Sequence, residues 1–125
     1  MEKPKNKLAL LFPGQGSQFV GMGADLYQEF TEARAIYALA DEVLGFKLSK
    51  LCFEGPEEEL NDTANTQPAI YVTGIACYRA AADAGIVDRE TAGVFAGLSL
   101  GEYTALHLAG VFSFEDGLKL VAARG

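Results

Sequence analysis

The segment Gly97-Leu98-Ser99-Leu100-Gly101 constrains the fold more than any other part of this chain. A serine with glycine two positions to either side fits a sharp turn from a strand into a helix, where side chains at the glycine positions would collide. The flanks agree with that geometry. Residues 92 to 96, an apolar Ala-Gly-Val-Phe-Ala run, read as a buried strand, and residues 100 to 109 read as a helix stopped by Gly110. At the apex of such a turn a hydroxyl stands exposed, which makes Ser99 the candidate nucleophile of an acyl-transfer site.

A second apolar run, residues 7 to 12, is stopped by Pro13-Gly14 and reads as another strand buried on both faces. The loop Pro13-Gly14-Gln15-Gly16-Ser17-Gln18 follows it. Residues 24 to 44 carry apolar positions at helical spacing, and residues 48 to 62 read as short helical pieces, one started by Pro56 with Glu57 to Glu59 complementing its dipole. A nearly all-apolar helix is expected over 66 to 84, capped by Asn65 or Thr66 with Pro68 in its first turn. Ser113 with Asp116 resembles a capping box that opens a last helix ending at Arg124. Strand, helices, strand, helix, helix is the order of an α/β layer fold with parallel strands. Two strands make a poor sheet, so residues 1 to 125 are expected to form one incomplete domain.

Composition narrows the partners. The net charge of −7 argues against nucleic acid, which needs a basic face. Coenzyme A and acyl-carrier proteins are acidic too, so binding them would require a local basic patch, for which the chain offers few candidates. The run after Lys3, Lys5 and Lys7 is too short for a signal sequence, and no stretch reaches the length of a membrane span. No membrane association is expected, and a cytoplasmic location is. Cys52 and Cys77 lie in apolar helical contexts and read as core residues. Neither forms a metal-ligand pattern, so no metal and no cofactor is expected.

A serine hydroxyl needs a base. The one histidine, His107, lies eight residues beyond Ser99 in the same helix, roughly 12 Å of rise and far from hydrogen-bond reach. It reads as a surface or packing residue. For the oxyanion, the amide of Leu100 at the positive end of its helix is one donor, and the 13–18 loop is the natural source of a second. A phosphate-binding loop is the rival reading of that glycine-rich segment, but it lacks the lysine and the spacing such loops require.

Four ordered stretches resemble the malonyl-CoA:acyl-carrier-protein transacylase family, and the acyltransferase domains of fatty-acid and polyketide synthases. They are Leu11-Phe-Pro-Gly-Gln-Gly-Ser-Gln18, Asn65-Thr-Gln-Pro-Ala69, Gly97-Leu-Ser-Leu-Gly-Glu-Tyr-Thr-Ala-Leu106 and Ala123-Arg-Gly125. The resemblance implies a malonyl group carried from coenzyme A to the phosphopantetheine thiol of acyl-carrier protein in fatty-acid biosynthesis, through an ester on Ser99. It implies oxyanion-hole amides from Gln15 and Leu100, Arg124 against the malonyl carboxylate, and Gln67 lining the site. A guanidinium suits a carboxylate because it offers two parallel N–H donors.

Two departures stand out. The family usually has histidine before the serine, where this chain has Leu98. Its catalytic histidine lies beyond position 125, after a ferredoxin-like subdomain that interrupts a hydrolase-like α/β subdomain. The chain therefore resembles the first segment of that larger subdomain. A polyketide-type acyltransferase, an acyl-thioester hydrolase and a non-catalytic fragment are the alternative readings.

Overall fold

The computed structural model describes residues 7–88 and 90–125; Lys3 and Lys5 lie outside the described residues. Two strands, β1 (Leu8–Phe12) and β2 (Ala92–Gly97), pair in parallel. Five helices connect them: α1 (Ala24–Glu29), α2 (Thr31–Leu44), α3 (Leu48–Glu54), α4 (Glu57–Asn61) and α5 (Thr63–Asp83). After β2 come α6 (Leu100–Leu108) and α7 (Phe114–Arg124). The register aligns Leu10 with Phe95 and Phe12 with Gly97. The carboxyl ends of both strands therefore lie side by side, the edge where α/β sheets place ligand loops.

Helix α5 is the axis of the core. Every residue from Thr66 to Val72 is buried, and so are Ile75, Ala76 and Ala80. A stretch covered on all sides, as Thr66 to Val72 is, needs no polar stripe, which is why the helix sequence shows little amphipathic pattern. Tyr37 of α2 packs edge-on to Phe53 at 4.9 Å and shares a 2.7 Å hydrogen bond with Thr73, which satisfies its buried hydroxyl. Tyr71 donates to the Phe114 carbonyl at 3.0 Å, tying α5 to the start of α7. Among the described residues, no helix is long and apolar enough to cross a membrane.

Several expectations need correction. The helix expected over 24 to 44 is two helices, broken at Phe30, which is extended at φ −121° and ψ 121°. Arg34 makes the break favourable by donating to the Tyr27 and Gln28 carbonyls at 2.8 and 3.0 Å, groups the end of α1 leaves unpaired. Helix α5 starts at Thr63, and its cap is Asp62, whose carboxylate accepts from the Ala64 N–H at 3.1 Å. Pro68 consequently sits inside the helix, beyond its first turn. The Ser113 cap is as expected, accepting from the Asp116 N–H at 3.1 Å.

The strands also differ from the reading of two covered faces. Leu8, Leu11 and Val94 are 41%, 75% and 56% exposed. Helices α5 and α6 lie near the sheet, but its other face and both outer edges stay uncovered by the described residues. Cys52 is buried as expected, whereas Cys77 is exposed on α5. It borders an apolar cavity of about 460 Å³ lined by Leu11, Phe12, Phe19, Met22 and Ile70.

Candidate active site

Ser99 is where β2 ends and α6 begins. Its φ of 54° and ψ of −112° are the only positive-φ backbone conformation at a non-glycine among the described residues. That conformation costs of order 1–3 kcal/mol and holds only when the surroundings fix it. The surroundings are two glycines. A methyl on Gly97 would lie 2.1 Å from the Gly101 carbonyl carbon and oxygen, and one on Gly101 would lie 2.0 Å from the Phe12 carbonyl oxygen. The turn can be this tight, and α6 can start this close to β1, only without those methyls.

The 13–18 loop is pressed against the turn. A methyl on Gly14 would come within 2.7 Å of the Leu98 carbonyl oxygen and 3.8 Å of the Leu100 nitrogen. Ser17 closes the loop by donating from its hydroxyl to the Gly14 carbonyl at 2.6 Å, and Gln18 accepts from the Gly16 N–H at 2.8 Å. Among the described residues, the backbone N–H groups of Gln15 and Leu100 donate to no acceptor. Two free amides on the segments flanking a serine are the right chemistry for an oxyanion.

Gln67, 5% exposed, projects from α5 and donates from Nε2 to Gln15 Oε1 at 3.0 Å. Its own Oε1 has no partner among the described residues. A buried acceptor left unpaired costs about 1–3 kcal/mol. Gln15 in turn reaches Thr63 Oγ1 from Nε2 at 3.5 Å.

Arg124 arrives from the far end of α7. Its Nη2 donates to Ser99 Oγ at 2.8 Å. The close approach of Gly125 to the start of α5 fixes where α7 ends, since a methyl there would lie 2.8 Å from Ala64 Cα and from the Thr63 oxygen. The structure therefore gathers Ser99, Gln15, Leu100, Gln67 and Arg124 at one edge. Leu98 stands 80% exposed beside them. Two further neighbours were given no role by the sequence: Thr63, and Tyr103, which lies within the Gly97–Leu106 stretch and whose ring lies under the Arg124 guanidinium.

His107 is not among them. Its Nδ1 sits 3.0 Å from the Phe112 carbonyl, and its ring is 6.0 Å from Phe114 and 6.3 Å from Tyr71, near the end of α6 opposite Ser99. A carbonyl partner requires a proton on Nδ1. Burial pushes its pKa below the ordinary 6.5; the Phe112 carbonyl opposes that shift and the charge of Arg79 adds to it. The unfolded chain therefore binds the proton more readily than the folded one. Stability from a neutral His107 is present above the ordinary imidazole value and lost as pH falls through and below it. The variant His107→Gln is expected to lose less stability than wild type between pH 7 and 5 in denaturant titrations. In the full-length protein its acyl-transfer pH profile should be unchanged, and a large loss of rate with loss of the low-pH limb would make His107 the base.

A strained serine between strand and helix gives this α/β chain the backbone geometry of an elbow turn. The chain belongs to the acyl transferase domain family, whose model matches residues 9–125. A malonyl CoA-acyl carrier protein transacylase of Bacillus subtilis strain 168 is 49% identical over 120 residues, covering 96% of this chain and 37% of that relative. The solved malonyl CoA-acyl carrier protein transacylase of Coxiella burnetii matches with a TM-score of 0.92 at 37% identity, covering 99% of this chain and 38% of that one. A type II polyketide-synthase acyl-carrier protein in complex with its malonyl-transacylase matches at 0.87 and 44% identity, over 95% of this chain and 38% of that one. This chain thus spans little more than a third of the length of these relatives.

Proposed function

We propose that residues 1–125 are the nucleophile-bearing N-terminal part of a cytoplasmic malonyl-CoA:acyl-carrier-protein transacylase. The observation that carries this reading is the guanidinium of Arg124 at 2.8 Å from Ser99 Oγ. A cation at that distance from a nucleophile gives a short acyl chain ending in a carboxylate a reason to bind there. Malonyl is such a chain. The names of the relatives, and the carrier protein bound to one of them, support the donor and the acceptor.

In this scheme Ser99 Oγ attacks the thioester carbonyl carbon of malonyl-CoA. The N–H groups of Gln15 and Leu100 hold the oxyanion while the C–S bond breaks and coenzyme A leaves as its thiol. The phosphopantetheine thiol of the carrier then attacks the ester carbonyl, and Ser99 recovers its proton. The carrier would be that of fatty-acid biosynthesis. With His107 bound to Phe112, the base that relays the proton comes from outside residues 1–125. The 125-residue polypeptide alone is therefore expected to transfer malonyl near the uncatalysed background.

Full-length protein incubated with malonyl-labelled malonyl-CoA, quenched and digested, should carry the label on the peptide containing Ser99. Adding carrier protein with its thiol arm should move the label to the carrier. Label on another residue, or coenzyme A release with no covalent intermediate, would overturn the scheme. A thioester hydrolase is the second reading, favoured by Leu98 where the family usually has histidine; it would release free malonate in preference to loading the carrier.

A further inference from the structure

We infer that Tyr103 is the positioning residue that holds Arg124 at Ser99, and thereby helps set the preference for carboxylate-bearing acyl groups. The inference rests on the malonyl-transfer reading and extends it to a residue that touches no reacting atom.

Tyr103 lies four residues beyond Ser99. Ser99 immediately precedes α6 and Tyr103 is the fourth residue of that helix, so the two lie about one turn apart at its start. Arg124, delivered by α7, lies across that turn. Its Nη2 donates to Ser99 Oγ, and its Cζ stands 5.2 Å from the centre of the Tyr103 ring. The ring is half-buried and packed on the core, so it is a fixed platform. Arg124 is exposed and carries a long, flexible stem. Without a platform its guanidinium would sample many rotamers, at an entropic cost to every ligand that needs it in place.

The kind of platform matters. Among the described residues no carboxylate pairs with Arg124. An aspartate or glutamate would also hold the guanidinium, but it would occupy the N–H donors and neutralise the charge that a substrate carboxylate needs. An aromatic face attracts the cation through its quadrupole and leaves the in-plane N–H donors free. Tyr103 thus orients Arg124 without competing with the ligand. A neutral acyl group draws nothing from this arrangement, so the contribution of Tyr103 falls on malonyl alone.

The test measures kcat/KM for malonyl-CoA and for acetyl-CoA in the full-length protein. Tyr103→Phe keeps the ring and should keep the wild-type ratio between the two donors. Tyr103→Leu should lower malonyl transfer about fivefold, within the roughly 2- to 30-fold that a cation–π contact supports, with acetyl transfer unchanged. Phenylalanine bearing one, two or three ring fluorines at position 103 keeps the shape and weakens the quadrupole stepwise. The malonyl-to-acetyl ratio should fall stepwise with it. A ratio indifferent to fluorination, or equal losses for both donors in Tyr103→Leu, would reduce Tyr103 to a packing residue and overturn the inference. Arg124→Ala is the control, expected to abolish the malonyl preference. If it leaves that preference intact, the malonyl reading falls and the inference with it; if it abolishes the preference while the fluorine series stays flat, the inference alone falls.

Discussion

In the full-length protein, replacing Ser99 with alanine is expected to lower malonyl transfer by about 10⁴- to 10⁶-fold, the range seen when an acyl-transfer nucleophile is removed while its oxyanion donors remain. The loss should lie in the chemical step. The amides of Gln15 and Leu100 belong to the backbone and stay where they are, and Arg124 keeps its charge and its aromatic support. Binding of malonyl-CoA, measured by calorimetry, should therefore change by less than about tenfold. Alanine also keeps the strain, since φ 54° is as unfavourable for its methyl as for serine. Ser99→Gly is the informative companion. It removes the same hydroxyl and relieves the strain, so it should be as inactive as Ser99→Ala but more stable by about 1–2 kcal/mol. Equal stability of the two variants would mean that the backbone at Ser99 is not under load. Substantial activity in either would dismiss Ser99 as the nucleophile.

The strained serine was legible in the sequence because its cause is steric and local. Gly97 and Gly101 mark the two places where backbone meets backbone, and no other residue type fits there. The meeting of the elbow with the 13–18 loop was legible at one remove. Parallel pairing of two runs, each followed by a glycine-rich turn, brings both turns to one edge, and the register of Phe12 with Gly97 realises this. Arg124 was different. Read as a helix, residues 114 to 124 say only that a basic residue ends it, which suits any helix dipole. Its position beside Ser99 depends on how α7 crosses α5, so only the resemblance to a family pointed there. Tyr103 stood within a recognised stretch without a role, for the same reason: its place beside Ser99 acquires meaning only once Arg124 lies over both.

The misread strands show a related limit. A continuous apolar run marks a strand whose faces both want cover, and says nothing of which segment supplies it. Leu11 and Val94 are apolar and open, while helices of this chain cover the opposite side. The break at Phe30 and the cap at Asp62 are not legible in the apolar pattern, because each is decided by one or two competing side-chain hydrogen bonds. Arg34 satisfies the carbonyls at the end of α1, and the Asp62 carboxylate captures the Ala64 amide, so that α5 starts at Thr63, three residues before the expected start.

Gly101→Ala sets two opposing effects of known size against each other. Gly101 is the second residue of α6, where alanine is intrinsically better than glycine by about 1 kcal/mol. On propensity alone the variant should be more stable. The new methyl, however, would sit 2.0 Å from the Phe12 carbonyl oxygen and 2.7 Å from its carbonyl carbon. These are backbone atoms of β1, paired to β2, and they cannot rotate away as the tip of a side chain could. Overpacking against side chains costs typically about 1–3 kcal/mol, and against fixed backbone the cost should reach or exceed the top of that range. The steric effect wins. Gly101→Ala is expected to destabilise the protein by at least about 2 kcal/mol net, read as a fall in denaturant midpoint at constant slope. Because α6 must tilt off β1 to make room, the Leu100 amide and Ser99 should move with it, so activity should fall further than the unfolded fraction explains. Gly110→Ala is the matched comparison. Nothing lies within 4 Å of a methyl there, but its φ is 90°, so it should cost only the roughly 1–2 kcal/mol of left-handed strain and leave the rate of the folded protein intact. If Gly101→Ala proves as stable as wild type, α6 does not lie against β1 as described, and the account of why Ser99 is strained fails with it.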